Sequence, residues 1–190
     1  MRLISVVDVE ATGLGRFDRR LPFDDDYPVS IGIVVASIDD YEKRIRCIDS
    51  YYSLIRIPKP VGVLESTVFH KIYPKDLVDA PVPNEVCRQI MGLYRRHGKM
   101  PAGAWNYHVD RYFVEILFKM GGMKKPEFKW IELKPNESAS LDKYVAEHVV
   151  DQKVRNLRPH HALNDCVRAL GVMAAITNSS LDLSGVEWKN

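Results

Sequence analysis

The first residues of the chain join an apolar segment to two acidic side chains, and this combination limits the fold most. Residues 3–7 are mostly apolar, which is typical of a buried strand. Asp8 and Glu10 follow two positions apart and point to one face if the strand continues, before Thr12 and Gly13 predict a turn. Neighbouring carboxylates repel each other and are costly to bury, whereas Mg²⁺ prefers hard oxygen ligands. The segment therefore predicts half of a metal site at the end of a core strand, unless both carboxylates are solvated at the surface.

Composition excludes several classes of protein. The 190 residues suffice for one domain with a sizeable core, and 46% hydrophobic and 27% charged residues are usual for a soluble globular protein. We expect no membrane association, because no apolar run is long enough to span a bilayer and no signal segment opens the chain. Three widely spaced cysteines without a CxxC pair argue against disulfides or zinc and favour the cytoplasm. The net charge of +2 neither indicates nor opposes nucleic-acid binding.

Periodicity and turn residues divide the chain into strands and helices. Strands are predicted at residues 3–10, 29–38, 45–57, 100–105 and 128–133. Helices are predicted at residues 83–97, 108–120, 140–150 and 162–177, with short helix and loop at 65–80 and a polar link at 151–158. Asp39 and Asp40 predict a turn that makes the second and third strands an antiparallel hairpin. This order indicates an α/β fold with a mixed sheet, in one domain over residues 1–178 followed by a C-terminal tail over residues 179–190.

Further polar residues lie beside predicted core elements. Asp110 is early in the helix after the fourth strand, and Asn106 lies four residues before it. Asp165 lies within the otherwise apolar last helix, and His160 and His161 precede it by five and four residues. A carboxylate beside an apolar stripe needs a partner, although a capping or surface position would explain each residue singly.

Together these residues resemble a known set of motifs. Three segments resemble, in this order, the three exonuclease motifs of the DEDDh 3′–5′ exonucleases: Asp8-Val-Glu10-Ala-Thr-Gly13, Asn106-Tyr-His-Val-Asp110 and His160-His-Ala-Leu-Asn-Asp165. That family includes the proofreading subunit of bacterial DNA polymerase, RNase T and oligoribonuclease. Residues 69–72 resemble the family's His-Gly-Ile segment, and the resemblance extends over about residues 3–176. Three motifs in order are far more specific than any one of them.

The resemblance implies a ribonuclease-H-like fold, with helices packed on both faces of the mixed sheet. It also implies two Mg²⁺ ions, for which Mn²⁺ would substitute, held by four carboxylates: Asp8, Glu10, Asp110 and Asp165. Two metal ions can serve both ends of an in-line displacement at a phosphodiester. A general base should titrate near neutral pH, which points to a histidine.

The choice between the two histidines sets helix geometry against the family pattern. On a regular helix His161 and Asp165 are four residues apart and share a face, whereas His160 and Asp165 do not. The family pattern nevertheless selects His160. The two agree if His160 lies in the loop before the helix, beside Pro159, and we therefore predict His160 as the general base.

The expected substrate contacts follow the first motif or lie between motifs: Ala11, Thr12, Gly13, Leu14, Phe69, His70 and Asn106. The first four would line a pocket for the terminal nucleotide, where backbone can approach a sugar or phosphate closely. Leu14 and Phe69 would wedge or stack against bases, and Asn106 would hydrogen-bond near the scissile phosphate. For Phe69 and His70, packing in the core explains the sequence about equally well.

The chain departs from the family pattern outside the predicted metal ligands. Trp105 stands where the family usually has His, Tyr107 replaces a small residue, and Lys71 replaces a Gly. We expect these changes to affect the fit of the substrate rather than the presence of activity.

These observations predict a metal-dependent 3′–5′ exonuclease. We expect it to hydrolyse single-stranded nucleic acid from the 3′ end to nucleoside 5′-monophosphates. No motif here reads the 2′-hydroxyl that distinguishes RNA from DNA. RNA is slightly favoured over DNA only by analogy with stand-alone family members. Two alternatives stay open: a proofreading-type DNA exonuclease subunit acting mainly with a polymerase, and an inactive nucleic-acid-binding module. A homodimer is compatible with the sequence.

Overall fold

Six strands form one sheet in the computed structural model, which describes residues 1–13, 26–58, 66–136 and 138–188. The strands are β1 (Arg2–Ala11), β2 (Pro28–Asp39), β3 (Arg44–Leu54), β4 (Ala102–Ala104), β5 (Trp130–Glu132) and β6 (Ser180–Asp182). Their order across the sheet is β5-β4-β1-β2-β3-β6. β2 is antiparallel to β1 and β3, whereas the other neighbouring pairs are parallel. The predicted mixed sheet and the predicted antiparallel hairpin are therefore confirmed.

Seven helices accompany the sheet in the described part of the chain. They are α1 (Thr67–His70), α2 (Pro74–Leu77), α3 (Pro83–His97), α4 (Tyr107–Met120), α5 (Leu141–His148), α6 (Gln152–Arg155) and α7 (Ala162–Ile176). The single turn of α6 lies where an irregular link was expected, and the Asp151 carboxylate caps it by accepting the Lys153 backbone N–H at 2.8 Å. Among the helices described, none is both long and apolar enough to cross a bilayer.

Helices cover both faces of the sheet because side chains of the central strands alternate between two cores. Ile4 and Val6 of β1 pack with residues of α5 and α7, whereas Val7 and Val9 pack with residues of α3 and α4. β2 lies near the middle of the sheet, and all but the last of its 12 residues are buried. The expected architecture, one α/β domain with helices on both faces of a mixed sheet, is confirmed.

Gly32 allows the start of α7 to lie directly on β2. It is opposite Asp8 in the β1–β2 ladder. A Cβ on Gly32 would be 2.4 Å from the carbonyl carbon of Ala162 and 2.4 Å from the nitrogen of Leu163, so only glycine fits here. The Cys166 thiol donates a hydrogen bond to the Gly32 carbonyl at 3.3 Å. The backbone of α7 is therefore seated beside Asp8.

The C-terminal residues extend the sheet, where the sequence predicted a tail. β6 pairs in parallel with β3, and Val186 is 7% exposed within the α7-side core. The Glu187 backbone N–H donates to the Ser50 hydroxyl at 2.7 Å. Gly185 lies so close to β3 that a Cβ would be 2.4 Å from the Cys47 carbonyl oxygen. This three-residue strand is too short to show a period of two in the sequence.

Candidate active site

The residues of the first two motifs meet at the carboxyl ends of β1 and β4. Asp8 and Glu10 continue the alternation of Ile4 and Val6, so they face α7. β4 is the parallel neighbour of β1, and the chain leaves it into α4, which carries Asp110 in its first turn. Since the carboxyl ends of adjacent parallel strands lie at one edge of a sheet, the topology brings these carboxylates together.

A hydrogen bond ties Asp110 to β1. Its Oδ1 accepts the backbone N–H of Val9 at 3.0 Å, although 101 residues separate the two in the chain. The side chain is buried, with 4% of the residue exposed, and a buried carboxylate requires such donors. The contact holds the start of α4 against the strand that carries Asp8 and Glu10.

Asp165 reaches the same place from the first turn of α7. The residue is 7% exposed. Its Oδ2 accepts the backbone N–H of His160 at 2.9 Å, and its Oδ1 accepts a hydrogen bond from Arg168 Nη1 at 2.6 Å. Both carboxylate oxygens therefore have protein donors.

The four carboxylates line one cleft of about 330 Å³. Its walls also include Trp105, Asn106, Asp142, His160 and Arg168. A larger cleft, of about 690 Å³, lies between residues 151–157 and 181–188, but it contains none of the predicted site residues.

Burial makes these carboxyl groups hard to ionise together. Desolvation is the largest cause in each case, and it raises the pKa of Glu10 and of Asp110 to about 8. Burial, followed by repulsion from Asp110 and Glu10, raises the pKa of Asp8 well above its usual value. Burial also raises the pKa of Asp165. A divalent cation fits this set, because its charge would allow several oxygen ligands to ionise in one place.

The two histidines before α7 have different surroundings. His160 is exposed and has a left-handed backbone, with φ of 55°. A ring nitrogen of His160 and carboxylate oxygens of Glu10 and Asp165 all lie within 4.8 Å of one another. His161 is instead the residue that caps α7, and its ring stacks on Tyr52 with 4.4 Å between centroids. His160 thus lies before α7. The helical spacing that places His161 and Asp165 on one face therefore says nothing about the position of His160.

The predicted nucleotide-binding segment is held by Tyr27. Ala11 is buried at the end of β1. The Thr12 backbone N–H donates to the Tyr27 carbonyl at 2.9 Å, and the Thr12 hydroxyl accepts the Tyr27 N–H at 2.9 Å. Gly13 is the last described residue of this segment, and Leu14, also predicted to bind substrate, lies outside the described residues.

Phe69 and Asn106 lie near the carboxylates with exposed side chains. Phe69 is 60% exposed, and its ring centroid lies 5.6 Å from that of His160. Asn106 is exposed and precedes α4, and its Oδ1 accepts a hydrogen bond from Lys134 Nζ at 3.0 Å. Both side chains are thus open to solvent at this end of the sheet.

His70, which the sequence also predicted to contact substrate, is buried, as the alternative of core packing implied. It is 3% exposed. Its Nδ1 accepts the backbone N–H of Ile72 at 3.0 Å, and its Nε2 pairs with the Ser66 hydroxyl at 3.1 Å. Ser66 in turn donates to the Ala11 carbonyl at 2.6 Å, so Ser66 links His70 to the segment of Ala11, Thr12 and Gly13.

Sequence reasoning missed four charged residues at or beside the cleft. Arg168 lies three positions after Asp165, a helical spacing that could have revealed it. Asp142 comes close only because α5 packs beside α7, as their shared core shows. Lys134 contacts Asn106, and Arg158 Nη2 donates to the carbonyl of His70 at 2.7 Å. These last two carry no sequence signal, since neither belongs to a motif or a periodic face.

The fold is shared with solved nuclease structures. The nuclease domain of 3′hExo, described as a DEDDh family member bound to rAMP, has a TM-score of 0.72 and 16% identity, covering 97% of this chain and 96% of that one. A 3′-exonuclease shown in 3′-end-specific recognition of a histone mRNA stem-loop has a TM-score of 0.71 and 15% identity, covering 93% and 81%. Exonuclease I of E. coli, in complex with a dA16 oligonucleotide, has a TM-score of 0.60 and 11% identity, covering 95% and 41%. No family model and no curated protein matches the sequence. The likeness confirms the ribonuclease-H-like fold expected from the three motifs.

Proposed function

We propose that the protein is a metal-dependent 3′–5′ exonuclease that shortens single-stranded nucleic acid and releases nucleoside 5′-monophosphates. The observation that carries this proposal is the convergence in one cleft of His160 and four carboxylates, of which Asp110 and Asp165 are buried and Asp8 and Glu10 are half-buried. The same cleft lies in a fold shared with a DEDDh nuclease domain and with exonuclease I.

The four carboxylates, Asp8, Glu10, Asp110 and Asp165, would hold two divalent ions, with Mg²⁺ as the natural ion and Mn²⁺ as a substitute. Bound there, the ions would supply an activated water and would stabilise the charge on the leaving oxygen. The raised pKa values of Glu10 and Asp110, about 8 each, support this role, because the ionised cluster needs nearby positive charge at neutral pH.

His160 would take the proton from the attacking water. Its ring nitrogen lies near the carboxylates of Glu10 and Asp165, and the side chain is exposed enough to pass the proton to solvent. The hydrogen bond from the His160 backbone N–H to Asp165 holds the loop that presents the ring.

The substrate would enter beside the segment of Ala11, Thr12 and Gly13, with Phe69 stacking against a base. Asn106 would hydrogen-bond near the scissile phosphate. Lys134 and Arg158, which lie beside these residues, would add positive charge for the backbone of the substrate. We favour RNA over DNA, because the neighbours with TM-scores above 0.7 include a domain bound to rAMP and an exonuclease shown in recognition of a histone mRNA stem-loop.

The test uses one sequence as 5′-labelled single-stranded RNA and DNA, incubated with Mg²⁺, Mn²⁺ or chelator. Asp8→Asn keeps the size of a half-buried side chain and removes the charge of a proposed ligand. Asp40→Asn is the matched control, because Asp40 is 71% exposed and pairs with Arg2 away from the cleft. We expect a ladder that shortens from the 3′ end, is lost with chelator and in Asp8→Asn, and persists in Asp40→Asn. Intact substrate under every condition would overturn the proposal.

A homodimer and a cytoplasmic location stay predictions. The three cysteines are buried and unpaired, which supports a reducing compartment. Light scattering of the purified protein would determine the number of subunits.

A further inference from the structure

Arg168 is a buried cation inside the proposed metal site. Its side chain is 5% exposed and lies on α7, one turn after Asp165. Nη1 donates to Asp165 Oδ1 at 2.6 Å, and Nη2 pairs with Asp142 Oδ1 on α5. One guanidinium therefore joins two carboxylates from two helices.

Stability alone gives little reason for a charge at this place. The rest of α7 is largely apolar and buried, and a buried ion pair is often no more stabilising than apolar residues of similar volume. Within the described part of the structure, Arg168 Nε is buried without a hydrogen-bond acceptor, which adds a cost that an aliphatic side chain would avoid. The arrangement is therefore better explained by what the guanidinium holds in place.

We propose that Arg168 is a positioning residue that presets the Asp165 carboxylate for metal binding, using Asp142 as its anchor. The proposal rests on the function proposed above. Carboxylates that bind metal ions are usually oriented by a second set of hydrogen bonds, whose loss costs about 10–100-fold in metal affinity or activity.

The effect of Arg168 extends through Asp165 to His160. While Arg168 occupies Oδ1, the other oxygen accepts the backbone N–H of His160 at 2.9 Å. His160 has a left-handed backbone, which residues other than glycine adopt uncommonly, and its N–H is held there by Asp165. If the Asp165 carboxylate could rotate, it would lose the hydrogen bond from the His160 N–H. It would also lose the orientation proposed for metal binding.

Asp142 is a suitable anchor because its own position is held. The Trp105 indole N–H donates to the Ala139 carbonyl at 3.0 Å, just before α5, and the Tyr144 ring lies 5.8 Å from that of Trp105. Trp105 directly follows β4 and is 6% exposed. The segment that carries Asp142 is thus attached to the strand end that leads to Asn106 and Asp110.

The first test is Asp142→Asn in the full chain, with Glu147→Gln as the matched control. Asp142 is 55% exposed at its side chain, so the fold should tolerate the change. Glu147 is on the same helix, is 49% exposed and pairs with Lys143 instead of Arg168. Mn²⁺ is titrated by calorimetry into protein without nucleic acid, and turnover is measured separately with Mg²⁺.

We expect Asp142→Asn to weaken Mn²⁺ binding about tenfold and to lower kcat, with KM for the oligonucleotide and the melting temperature in chelator near those of the parent. Glu147→Gln should match the parent in all four. A lower melting temperature with unchanged Mn²⁺ affinity and kcat would mean a purely structural role and would overturn the proposal.

Arg168→Lys separates positioning from charge. Lysine keeps the positive charge but cannot present the planar fork that bridges two carboxylates. The proposal expects Arg168→Lys to weaken Mn²⁺ binding as Asp142→Asn does. Parent-like affinity in Arg168→Lys would show that charge alone suffices and would also overturn the proposal.

The calorimetric readout keeps the two proposals distinguishable. A parent protein that binds Mn²⁺ but cleaves no nucleic acid refutes the exonuclease and still allows the variants to be compared. A parent that cleaves, with variants that bind Mn²⁺ normally, refutes only the positioning role. A parent that binds no divalent cation refutes both.

Discussion

His160 and His161 are adjacent in the chain, yet their rings have different surroundings. His160 is exposed beside Glu10 and Asp165, whereas the His161 ring stacks on Tyr52 and caps α7. Burial lowers the pKa of His161, which makes its charged form less favourable. The proposed roles, general base for His160 and helix cap for His161, follow from these surroundings.

Exchanging each histidine for alanine should therefore give opposite results. His160→Ala should lower kcat by about 10²–10⁴-fold, the usual contribution of a general base, while the melting temperature stays near that of the parent. His161→Ala should lower the free energy of unfolding by about 1 kcal/mol, because a helix cap is lost, and should keep kcat within a few-fold. Single-turnover kinetics and thermal unfolding of both variants check this. Normal turnover in His160→Ala with lost turnover in His161→Ala would reverse the assignment.

The residues of the site differ in how far the sequence could predict them. Asp8, Glu10, Asp110, Asp165 and His160 belong to motifs, so their convergence could be expected before the fold was known. Their proposed roles still depend on experiment. Asp142 and Lys134 could not be found, because their positions depend on how α5 and the segment after β5 pack. For His70 the substrate contact stays a prediction, but the sequence does not show that its ring nitrogens already pair with Ser66 and Ile72.

Among the elements, the contact between β2 and α7 controls the geometry of the site. Gly32→Ala would place a Cβ 2.4 Å from backbone atoms of Ala162 and Leu163, which cannot move aside as a side chain can. We expect a loss of at least about 2 kcal/mol in the free energy of unfolding, together with a lower kcat, because α7 must shift away from Asp8.

Gly92→Ala is the matched control for this change. Gly92 lies within α3, and an added Cβ there would have only Arg96 Nη1, at 3.8 Å, within contact distance. This variant should be more stable by about 0.5–1 kcal/mol, since alanine favours helix. Urea denaturation of both variants provides the measurement, and an unaffected Gly32→Ala would contradict the described seating of α7.

The C-terminal strand provides a second prediction at this scale. Ending the chain after Ser179 removes β6 and the buried side chain of Val186. We expect a loss of about 2–4 kcal/mol, from apolar burial and from the backbone hydrogen bonds to β3. Val186→Ala alone should show a smaller part of that loss. Unchanged stability after truncation would mean that residues 179–190 are the tail that the sequence suggested.

Long periodic elements were predictable, and so were the short strands β4 and β5, whereas α6 and β6 were not. α3 shows helical spacing between a proline at its start and Gly98 after its end, so its bounds, Pro83–His97, match the prediction. α6 and β6 contain four and three residues, which is too few for a hydrophobic period to appear. Their formation depends on neighbours that the local sequence does not reveal.

For the whole molecule, the carboxylate cluster makes stability depend on pH. In chelator, the raised pKa values of Glu10 and Asp110, about 8 each, mean that the folded state binds protons that the unfolded state has released. Their contribution is fully present below about pH 4 and is lost as the pH rises toward 8, by at most about 1.4 kcal/mol per pH unit for each such group. We expect the free energy of unfolding in chelator to fall between pH 5.5 and pH 8.

Divalent cations should counteract this fall, because they bind the ionised carboxylates more tightly as the pH rises. Glu10→Gln removes one of the titrating groups and should make the fall in chelator less steep. Urea denaturation at four pH values, with chelator and with Mg²⁺, gives the comparison. Stability in chelator that rises with pH would contradict the described burial of the cluster.

The contacts that assemble the cleft join parts of the chain that are far apart in sequence. Val9 and Asp110 are separated by 101 residues, and Gly32 and Cys166 by 134. Closing such long loops costs conformational entropy before their contacts can stabilise the chain. We therefore expect the cleft to form late on the folding pathway. A cation that binds only this cleft would then find no complete site in the transition state. Mg²⁺ should accordingly slow unfolding while leaving the refolding rate almost unchanged. The ion would then lengthen the lifetime of the folded state without helping the chain to reach it.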